Sequence, residues 1–301
     1  MSEILVVGSL NMDLVVKAPR MPKDGETILG DDFFQIPGGK GGNQAVAIGR
    51  LGASVSMLAS VGNDNFATEL VTSLRESNVN CEGIKEKLGV STGIALITLQ
   101  TCGENSIIVV PGANFSLKNQ DIDQEIKLIK ESELVLTQLE VPLDTVEYLL
   151  QKSKEYGKIT VLNPAPAQNL SDEILKNIDY ITPNETELEI LTGIEVKNQD
   201  DLERACQKLL DAGVKGVIVT LGSKGAFFMD KNTKLEKSAR KVEVVDTTAA
   251  GDSFTGAFCV GLVEGKSMDE ILEFSCKVGS LTVQKMGAQT SLPTRKEVES
   301  I

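Results

Sequence analysis

Residues 245–258 read VDTTAAGDSFTGAF, a stretch that combines a helix with the most suggestive chemistry in the chain. Phe254 and Phe258 stand four residues apart, the spacing of one helix face, so the small residues 249–251 mark the helix N-terminus. Backbone amides there lack partners within the helix and can bind an anion. Asp252 in the first turn can then accept a proton from an attacking hydroxyl group. Taken alone, an acidic residue at this position is more often simply favoured by the helix dipole; the flanking DTTA and SFTGA segments favour the catalytic interpretation.

The rest of the chain places this helix in an α/β fold. Short apolar runs, typical of strands buried on both faces, alternate with helical patterns such as the one that begins at Leu202. The apolar runs are 4–7, 55–59, 134–136, 159–162 and 217–220. The alternation predicts a mostly parallel central sheet with helices on both faces, and ligands at the carboxyl ends of its strands.

Two regions interrupt this alternation. Residues 13–34 and 92–110 have the pattern of β-hairpins, the second with a turn at 101–104. They predict a small β-sheet that acts as a lid over the site. No repeat or linker divides the chain, so we expect a single domain over residues 1–301.

The composition narrows the classes of function. The 301 residues are 41% hydrophobic, enough for a large core, and their formal net charge is −13 with the charges interspersed. There is no basic stripe to neutralise a phosphate backbone, which argues against a nucleic-acid partner. No apolar run approaches the ~18 residues of a membrane helix and no signal sequence precedes the first strand, so we expect no membrane association and a cytoplasmic location.

Cysteine and histidine usage narrows the chemistry. The cysteines are scattered and form no CxxC pair, which predicts reduced thiols and no zinc site. They are Cys81, Cys102, Cys206, Cys259 and Cys276. Histidine is absent, so a general acid or base must be a carboxylate, a lysine or a cysteine.

Two segments near the N-terminus offer groups for a hydroxylated ligand. GGKGGN at 38–43 lacks the ending of a Walker A loop, but its glycines allow a ligand to approach the backbone, and its lysine and asparagine add donors. GSLNMD at 8–13 follows the first strand and offers an amide and a carboxylate. Each also has a plain structural interpretation. Segment 38–43 can be a turn before a helix expected at 44–51, and segment 8–13 can be a turn at the end of a strand.

Two later segments have the same ambiguity. TLGSKG at 220–225 closes a strand with a glycine turn that suits a base or a phosphate, and it is equally a hairpin turn. PNETE at 183–187 places Asn184 and Glu187 one turn apart, where they can hold Mg²⁺ through water. The same two residues can form a capping box at a helix N-terminus, and the sequence does not separate these interpretations.

Together and in this order, the segments resemble the ribokinase (pfkB) family of carbohydrate kinases, from 8–13 to GAQTSLP at 287–293. Two long signatures carry most of the resemblance, GGKGGNQAVAIGRLG at 38–52 and DTTAAGDSFTGAF at 246–258. Shorter matching segments are STGIALI (91–97), QLEVP (138–142), LNPAPA (162–167) and TPNETE (182–187). The resemblance implies a three-layer ribokinase-like α/β fold with a lid, ATP as co-substrate, Mg²⁺ as cofactor, and phosphorylation of D-ribose at its 5-hydroxyl.

The same resemblance implies roles for individual positions. Asp252 is the base, beside an anion hole formed by Ala249, Ala250 and Gly251. The ribose-binding positions are Asn11, Asp13, Gly39, Lys40, Gly41, Gly42, Asn43, Glu140 and Asp252. The ATP-binding positions are Asn184, Thr220, Leu221, Gly222, Ser223, Lys224, Gly225, Gly251, Asp252 and Cys276. Glu187 holds Mg²⁺ through water, and the positions implied for an activating K⁺ are Asp246, Thr248, Thr282, Lys285, Gly287 and Ser291.

Relatives of this fold leave alternatives open, namely a deoxyribokinase, a fructokinase-like enzyme, a nucleoside kinase, or a sugar sensor without catalysis. No aromatic residue lies in 8–13 or 38–43 to stack a purine, which favours a small polyol. Asp13, as an acceptor for two hydroxyls, favours ribose over deoxyribose. The exposed edge of the lid sheet predicts a homodimer.

Overall fold

The computed structural model describes residues 3–102 and 104–301. The strands are Ile4–Val7 (β1), Asn11–Ala18 (β2), Asp32–Gly38 (β3), Val55–Gly62 (β4), Val79–Lys87 (β5), Gly93–Gln100 (β6), Asn105–Val110 (β7), Leu134–Thr137 (β8), Ile159–Leu162 (β9), Tyr180–Ile181 (β10), Gly216–Thr220 (β11), Ala226–Asp230 (β12) and Lys234–Lys237 (β13). The helices are Lys40–Arg50 (α1), Asn65–Glu76 (α2), Asn119–Gln124 (α3), Ile126–Glu131 (α4), Leu143–Glu155 (α5), Asp172–Leu175 (α6), Glu185–Thr192 (α7), Gln199–Asp211 (α8), Ala250–Val263 (α9), Met268–Thr282 (α10) and Arg295–Glu299 (α11). Short 3₁₀ segments occupy Gly112–Ser116, Gly222–Lys224 and Gln289–Ser291.

The central sheet has nine strands in the order β13-β12-β11-β10-β9-β8-β1-β4-β5. Neighbouring strands from β11 to β5 run parallel, and β12 and β13 add an antiparallel edge. The apolar runs identified in the sequence form β1, β4, β8, β9 and β11, which confirms the mostly parallel α/β sheet. Each run is continuous because these strands are covered on both faces.

Strand β1 shows how the three layers are held together. Leu5 and Val7 pack into the core beneath α5, α6 and α8, and Ile4 and Val6 pack into the core beneath α1, α2, α9 and α10. Successive side chains of a strand point to opposite faces, so this four-residue strand contributes equally to both cores. In the part of the chain that the structure describes, no helix is long and apolar enough to cross a bilayer.

A second, four-stranded sheet has the order β3-β2-β6-β7, and we call it the lid sheet. The pairs β2–β3 and β6–β7 are antiparallel hairpins, and β2 pairs with β6 in parallel. The strands lie within 11–38 and 93–110, slightly beyond the expected 13–34 and starting one residue after the expected 92. Gly103, in the expected turn at 101–104, lies outside the described residues. Only residues 8–10 separate β1 from β2, so the lid sheet leaves the central sheet directly at the carboxyl end of β1.

Helix α1 begins earlier than the sequence pattern indicates. The expected helix was 44–51, and the observed helix starts at Lys40, inside the glycine-rich segment. A Cβ atom on Gly41 would lie 2.7 Å from the backbone nitrogen of Ser9. The glycines therefore form the first helical turn because it packs directly against the loop after β1, a tertiary contact that outweighs their low helix propensity.

Candidate active site

Asp252 is buried in the first turn of α9. Its carboxylate accepts one hydrogen bond from Asn43 Nδ2 (2.9 Å) and one from Gln44 Nε2 (3.0 Å). Both donors belong to α1, so tertiary contacts orient this side chain. The helix-dipole interpretation of Asp252 does not require these two contacts. They therefore favour the interpretation of Asp252 as a catalytic base.

The backbone before Asp252 has amides free for an anion. Ala249 adopts a left-handed conformation with φ of 60°, which is unfavourable for a residue with a Cβ atom and is typical of functional sites. The amide of Ala250 donates to the carbonyl of Thr247 at 3.2 Å. Within the described residues, the amides of Ala249, Gly251 and Asp252 have no acceptor. Apart from its chain neighbours and the backbone of α9, no described residue has an atom within 4 Å of a Cβ built on Gly251, so the space beside it is open to a ligand.

Asp13 is the most strongly perturbed carboxyl group of the site. Burial raises the pKa of Asp13 to about 7, and the negative charges of Glu140 and Asp252 add to the effect. A Cβ atom on Gly38 would lie 2.5 Å from Asp13 Oδ2, so the carboxylate fits only because residue 38 has no side chain. The predicted sugar side therefore contains three acidic groups close enough to influence one another.

Asn11 is buried at the start of β2 and has a fixed orientation. Its Oδ1 accepts a hydrogen bond from Asn114 Nδ2 at 2.7 Å. Asn114 is itself held by the backbone amide (2.9 Å) and carbonyl (3.1 Å) of Leu10. Because Asn114 occupies the oxygen, Asn11 presents its NH₂ group to the site and can donate to a ligand hydroxyl oxygen. Asn114 was missed in the sequence because nothing in the segment around it forms a motif.

The glycine-rich loop connects Asn11 with Glu140. Gly39 has φ of 83°, and a Cβ atom there would lie 2.6 Å from the backbone nitrogen of Asn11. The loop can therefore pass over β2 only with glycine at this position. It places the amide of Lys40 3.1 Å from Glu140 Oε2, and Ser9 Oγ donates to the same oxygen. Glu140 is thus held from two sides at the carboxyl end of β8.

Lys40 supplies positive charge to this acidic site. Burial acts to lower the pKa of Lys40, but the charges of Asp252, Glu140 and Glu187 outweigh it and leave the pKa above its ordinary value. The ammonium group is therefore charged. It lies in the field of the carboxylate predicted to be the base and of Glu187 on the nucleotide side.

The nucleotide residues expected from the sequence lie around a cavity of about 680 Å³ on the other side of Gly251. Those that line it are Asn184, Thr220, Gly222, Ser223, Gly225, Gly251 and Cys276. Leu221, Lys224 and Asp252 are not among the described lining residues, and the Lys224 ammonium pairs with Glu185 at 3.3 Å. The cavity is also lined by Phe254, from the segment 245–258, and by residues 239–242, Gly279 and Val283, which no motif indicated. The segment 239–242 has no regular secondary structure, so it has no periodic pattern to detect.

Asn184 and Glu187 form the capping box that was one of their two interpretations. Glu187 N donates to Asn184 Oδ1 at 2.8 Å, and Asn184 N donates to Glu187 Oε2 at 2.9 Å. Burial raises the pKa of Glu187, with the charge of Asp252 acting in the same direction. One carboxylate oxygen, Oε1, has no protein donor within the described residues. A carboxylate oxygen that remains free beside Lys40 and Asp252 fits the hard oxygen ligands that Mg²⁺ prefers, directly or through water.

The positions implied for K⁺ lie in the loop before α9, at the end of α10 and in the segment 285–291, and Asp246 joins the first of these to the last. Asp246 Oδ1 accepts from the backbone amide (2.9 Å) and hydroxyl (2.6 Å) of Thr248, and Oδ2 accepts from Gly287 N at 2.8 Å. The hydroxyl groups of Thr282 and Ser291 donate to other protein oxygens, and the ammonium of Lys285 pairs with Glu297. Asp246, Thr248 and Gly287 are therefore brought together. Lys285 can offer a cation only its carbonyl oxygen, because an ammonium has no lone pair.

Three buried amides around Asp252 were not predicted as site residues. Gln44, Gln138 and Asn163 are linked side chain to side chain, and Gln44 contacts the carboxylate. Each lies in a segment quoted above. Gln44 follows the glycine-rich segment 38–43, Gln138 follows β8, and Asn163 follows β9. A polar residue at the carboxyl end of a buried strand was the available signal.

Comparison with known proteins places the whole chain in one group. The profile of the pfkB family carbohydrate kinases matches residues 1–295. The chain is 42% identical to the ribokinase of Haemophilus influenzae over 98% of this chain and 96% of that protein. It is 37% identical to a deoxyribokinase of Salmonella typhi over 97% of this chain and 96% of that protein. The structure of Arabidopsis thaliana ribokinase complexed with ribose and ATP superposes with a TM-score of 0.96 at 35% identity, covering 99% of this chain and 98% of that one.

Proposed function

This chain belongs to the pfkB family of carbohydrate kinases, and from this membership we propose that it transfers the γ-phosphate of ATP to the 5-hydroxyl of D-ribose. The products are D-ribose 5-phosphate and ADP. The observation that carries the proposal is the position of Asp252. Its carboxylate is close enough to Asp13 and Glu140, on the sugar side, to act on the pKa of Asp13 together with Glu140, and its chain neighbour Gly251 lines the large cavity.

The reaction uses this arrangement in a single displacement. The sugar hydroxyl attacks the γ-phosphorus as its proton passes to Asp252, an O–P bond forms, and the bond to the β-phosphate oxygen breaks. The free amides of Ala249, Gly251 and Asp252 face the charge that develops on the transferred group. Lys40 adds a buried positive charge near the base.

Mg²⁺, when bound with ATP, neutralises charge on the β- and γ-phosphates. Glu187 is the residue we propose to hold it through water, since its Oε1 is free and it lies in the field of Asp252 and Lys40. The Asn184 amide bond to Oε2 fixes the direction of this carboxylate. The capping box and the metal role are compatible because they use different oxygens of Glu187.

Ribose is favoured over the other acceptors by the chemistry of the sugar side. Asp13 is ionised above pH 7 and can accept hydrogen bonds from two neighbouring hydroxyl groups. An acceptor that lacks one of them leaves the buried carboxylate partly unpaired. The identity of 37% with a deoxyribokinase makes 2-deoxyribose the alternative that most needs a direct test.

A coupled assay of ADP release tests the proposal with ATP and four acceptors: D-ribose, 2-deoxy-D-ribose, fructose 6-phosphate and adenosine. We expect kcat/KM for ribose to exceed that for 2-deoxyribose by about 10- to 100-fold, the effect of one unpaired hydrogen bond to a charged group. A higher kcat/KM for any other acceptor overturns the assignment to ribose. Equal values for the two pentoses contradict the role given to Asp13.

We propose K⁺ as an activating monovalent cation beside the anion hole. Asp246 ties the loop before α9 to the loop after α10, so a cation bound there neutralises Asp246 and steadies the backbone that leads into Ala249. The same assay with Na⁺ in place of K⁺ is expected to give a lower kcat. Equal rates in the two salts contradict this proposal and leave the sugar assignment intact.

We also propose that the chain forms a homodimer through the lid sheet. Phe33, Ile107 and Ile108, on its edge strands β3 and β7, are 56%, 54% and 64% exposed. An uncovered apolar edge is a site for pairing with a second chain. Light scattering should give a dimer for the unchanged chain and a monomer for Ile108→Glu. A monomeric unchanged chain at micromolar concentration contradicts the proposal.

A cytoplasmic location is the last part of the proposal. All five cysteines are free thiols, and Cys206, Cys259 and Cys276 are buried. Unpaired buried thiols suit a reducing compartment. The proposed substrates, ATP and ribose, are small soluble molecules, and we propose neither a nucleic-acid nor a membrane partner.

A further inference from the structure

We infer that Gln44 is a positioning residue that holds the Asp252 carboxylate in its reactive orientation, an inference that rests on the proposed role of Asp252 as base. The Gln44 side chain is fully buried. Its Nε2 donates to Asp252 Oδ1 at 3.0 Å and to Asn163 Oδ1 at 3.1 Å, and its Oε1 accepts from Gln138 Nε2 at 2.6 Å. Both N–H groups and the oxygen of this amide are therefore in use.

The amide of Gln44 can take only one orientation. Turning it by half a rotation would set its oxygen against two acceptors, the carboxylate of Asp252 and the oxygen of Asn163. Asn163 is fixed in turn, because its Nδ2 donates to the carbonyl of Thr182 at 3.1 Å. The direction of the N–H bond to Asp252 thus follows from contacts on three different elements.

Gln138 anchors the other end of this arrangement. It follows β8, and its side-chain oxygen lies 1.8 Å from where a Cβ atom on Gly8 would be. The amide of Gln138 can reach Gln44 only because residue 8 is glycine. The loops after β1, β8 and β9 therefore combine to set the position of one side chain on α1.

Gln44 and Asn43 each donate a hydrogen bond to a different oxygen of the Asp252 carboxylate. Asn43 Nδ2 holds Oδ2 and Gln44 Nε2 holds Oδ1, so rotation of the carboxylate about its Cβ–Cγ bond is blocked. The neutral amides of Asn43 and Gln44 cannot act as the base themselves, so they serve to orient the carboxylate that does. Gln44 is enclosed completely by protein and cannot touch the sugar, whereas Asn43 belongs to the glycine-rich segment 38–43 that is predicted to bind it. The two residues should therefore have different kinetic signatures.

The experiment compares Gln44→Leu with the unchanged chain, using whichever acceptor the unchanged chain phosphorylates best. We expect kcat to fall about 10- to 100-fold, the loss of one hydrogen bond to a charged group, with KM for the sugar changed less than about threefold. Ser153→Ala is the control, because it removes a buried polar contact within α5, far from the site, and should keep full turnover. A raised KM with kcat unchanged overturns the inference.

A double-mutant cycle separates positioning from a general loss of structure. In an Asp252→Ala background, Gln44→Leu should cause no further loss of the residual turnover, because Gln44 acts only through that carboxylate. Losses that multiply overturn the inference. Gln44→Glu keeps the shape of the side chain and tests the inference if the leucine variant does not fold. Full turnover by Gln44→Glu would contradict the inference. If the unchanged chain does not phosphorylate ribose, the proposed function fails, and Gln44 is still tested on the true acceptor.

Discussion

Replacing Asp252 by asparagine should lower kcat by about 10²- to 10⁴-fold, the usual contribution of a general base. Asparagine has nearly the same shape, and its oxygen can still accept from Asn43 or Gln44, so the fold and the sugar site should persist. What is lost is the ability to take the proton from the sugar hydroxyl. The chain has no histidine to replace this function.

The measurement needs binding as well as turnover. The chain has no tryptophan, so ribose affinity is best followed by calorimetry, and we expect it to change little in the variant. Asp200→Asn is the matched control, since Asp200 is an exposed acidic residue in the first turn of α8, a helix of 13 residues that is nearly as long as α9. Turnover by Asp252→Asn near that of the control would show that Asp252 has only the dipole role.

The second large effect is expected at Asp13. Replacing it by asparagine should raise KM for ribose about 100-fold, because a charged acceptor for two hydroxyl groups is replaced by a neutral one. The increase in KM for 2-deoxyribose should be smaller, so the ratio of the two kcat/KM values, which measures the preference for ribose, should decrease. Asp32→Asn on the adjacent strand β3 is the control, because Asp32 is exposed and forms only a long pair with Lys17. Equal losses for both sugars would contradict the role of Asp13 in selection.

The same group predicts how ribose binding depends on pH. Burial raises the pKa of Asp13 to about 7, so the carboxylate is charged above this pH and protonated below it. Ribose affinity should therefore fall as the pH falls through 7, approaching about tenfold per pH unit at the acidic end. Calorimetric titrations from pH 5.5 to pH 8.5 measure this, and Asp13→Asn should remove the dependence. A flat profile in the unchanged chain would mean that Asp13 does not bind the sugar as an anion.

The sequence predicts best what is contiguous along the chain. Asp252 and the small residues before it occupy one segment, so their shared position at a helix N-terminus follows from spacing alone, although the role of Asp252 does not. Gln44, Gln138 and Asn163 come from separate parts of the chain and meet only because the carboxyl ends of β8 and β9 lie beside helix α1. The periodicity of apolar residues along the sequence does not show which distant residues come into contact, although each of these three stood in a recognisable segment.

Local propensity fails where tertiary contacts decide the conformation. Helix α1 begins at Lys40 although glycines follow, because that turn packs against Ser9. Ala249 takes a left-handed conformation that its residue type does not suggest. The lining of the nucleotide cavity by 239–242 is likewise invisible in the sequence, since an irregular segment has no pattern.

Burial of Asp13, reinforced by the charges of Glu140 and Asp252, also has a thermodynamic consequence for the protein without sugar. Between pH 4 and about pH 7, the folded chain holds a proton at Asp13 that the unfolded chain releases, so the folded state becomes less favoured as the pH rises through this interval. Near neutral pH the unliganded fold therefore bears an electrostatic penalty at its sugar site. Neutralising Asp13 would relieve the penalty and make the empty protein harder to unfold, while it weakens sugar binding. Selection for resistance to unfolding alone would remove this carboxylate, so under the role we propose for Asp13 the fold loses stability at this position in exchange for sugar recognition.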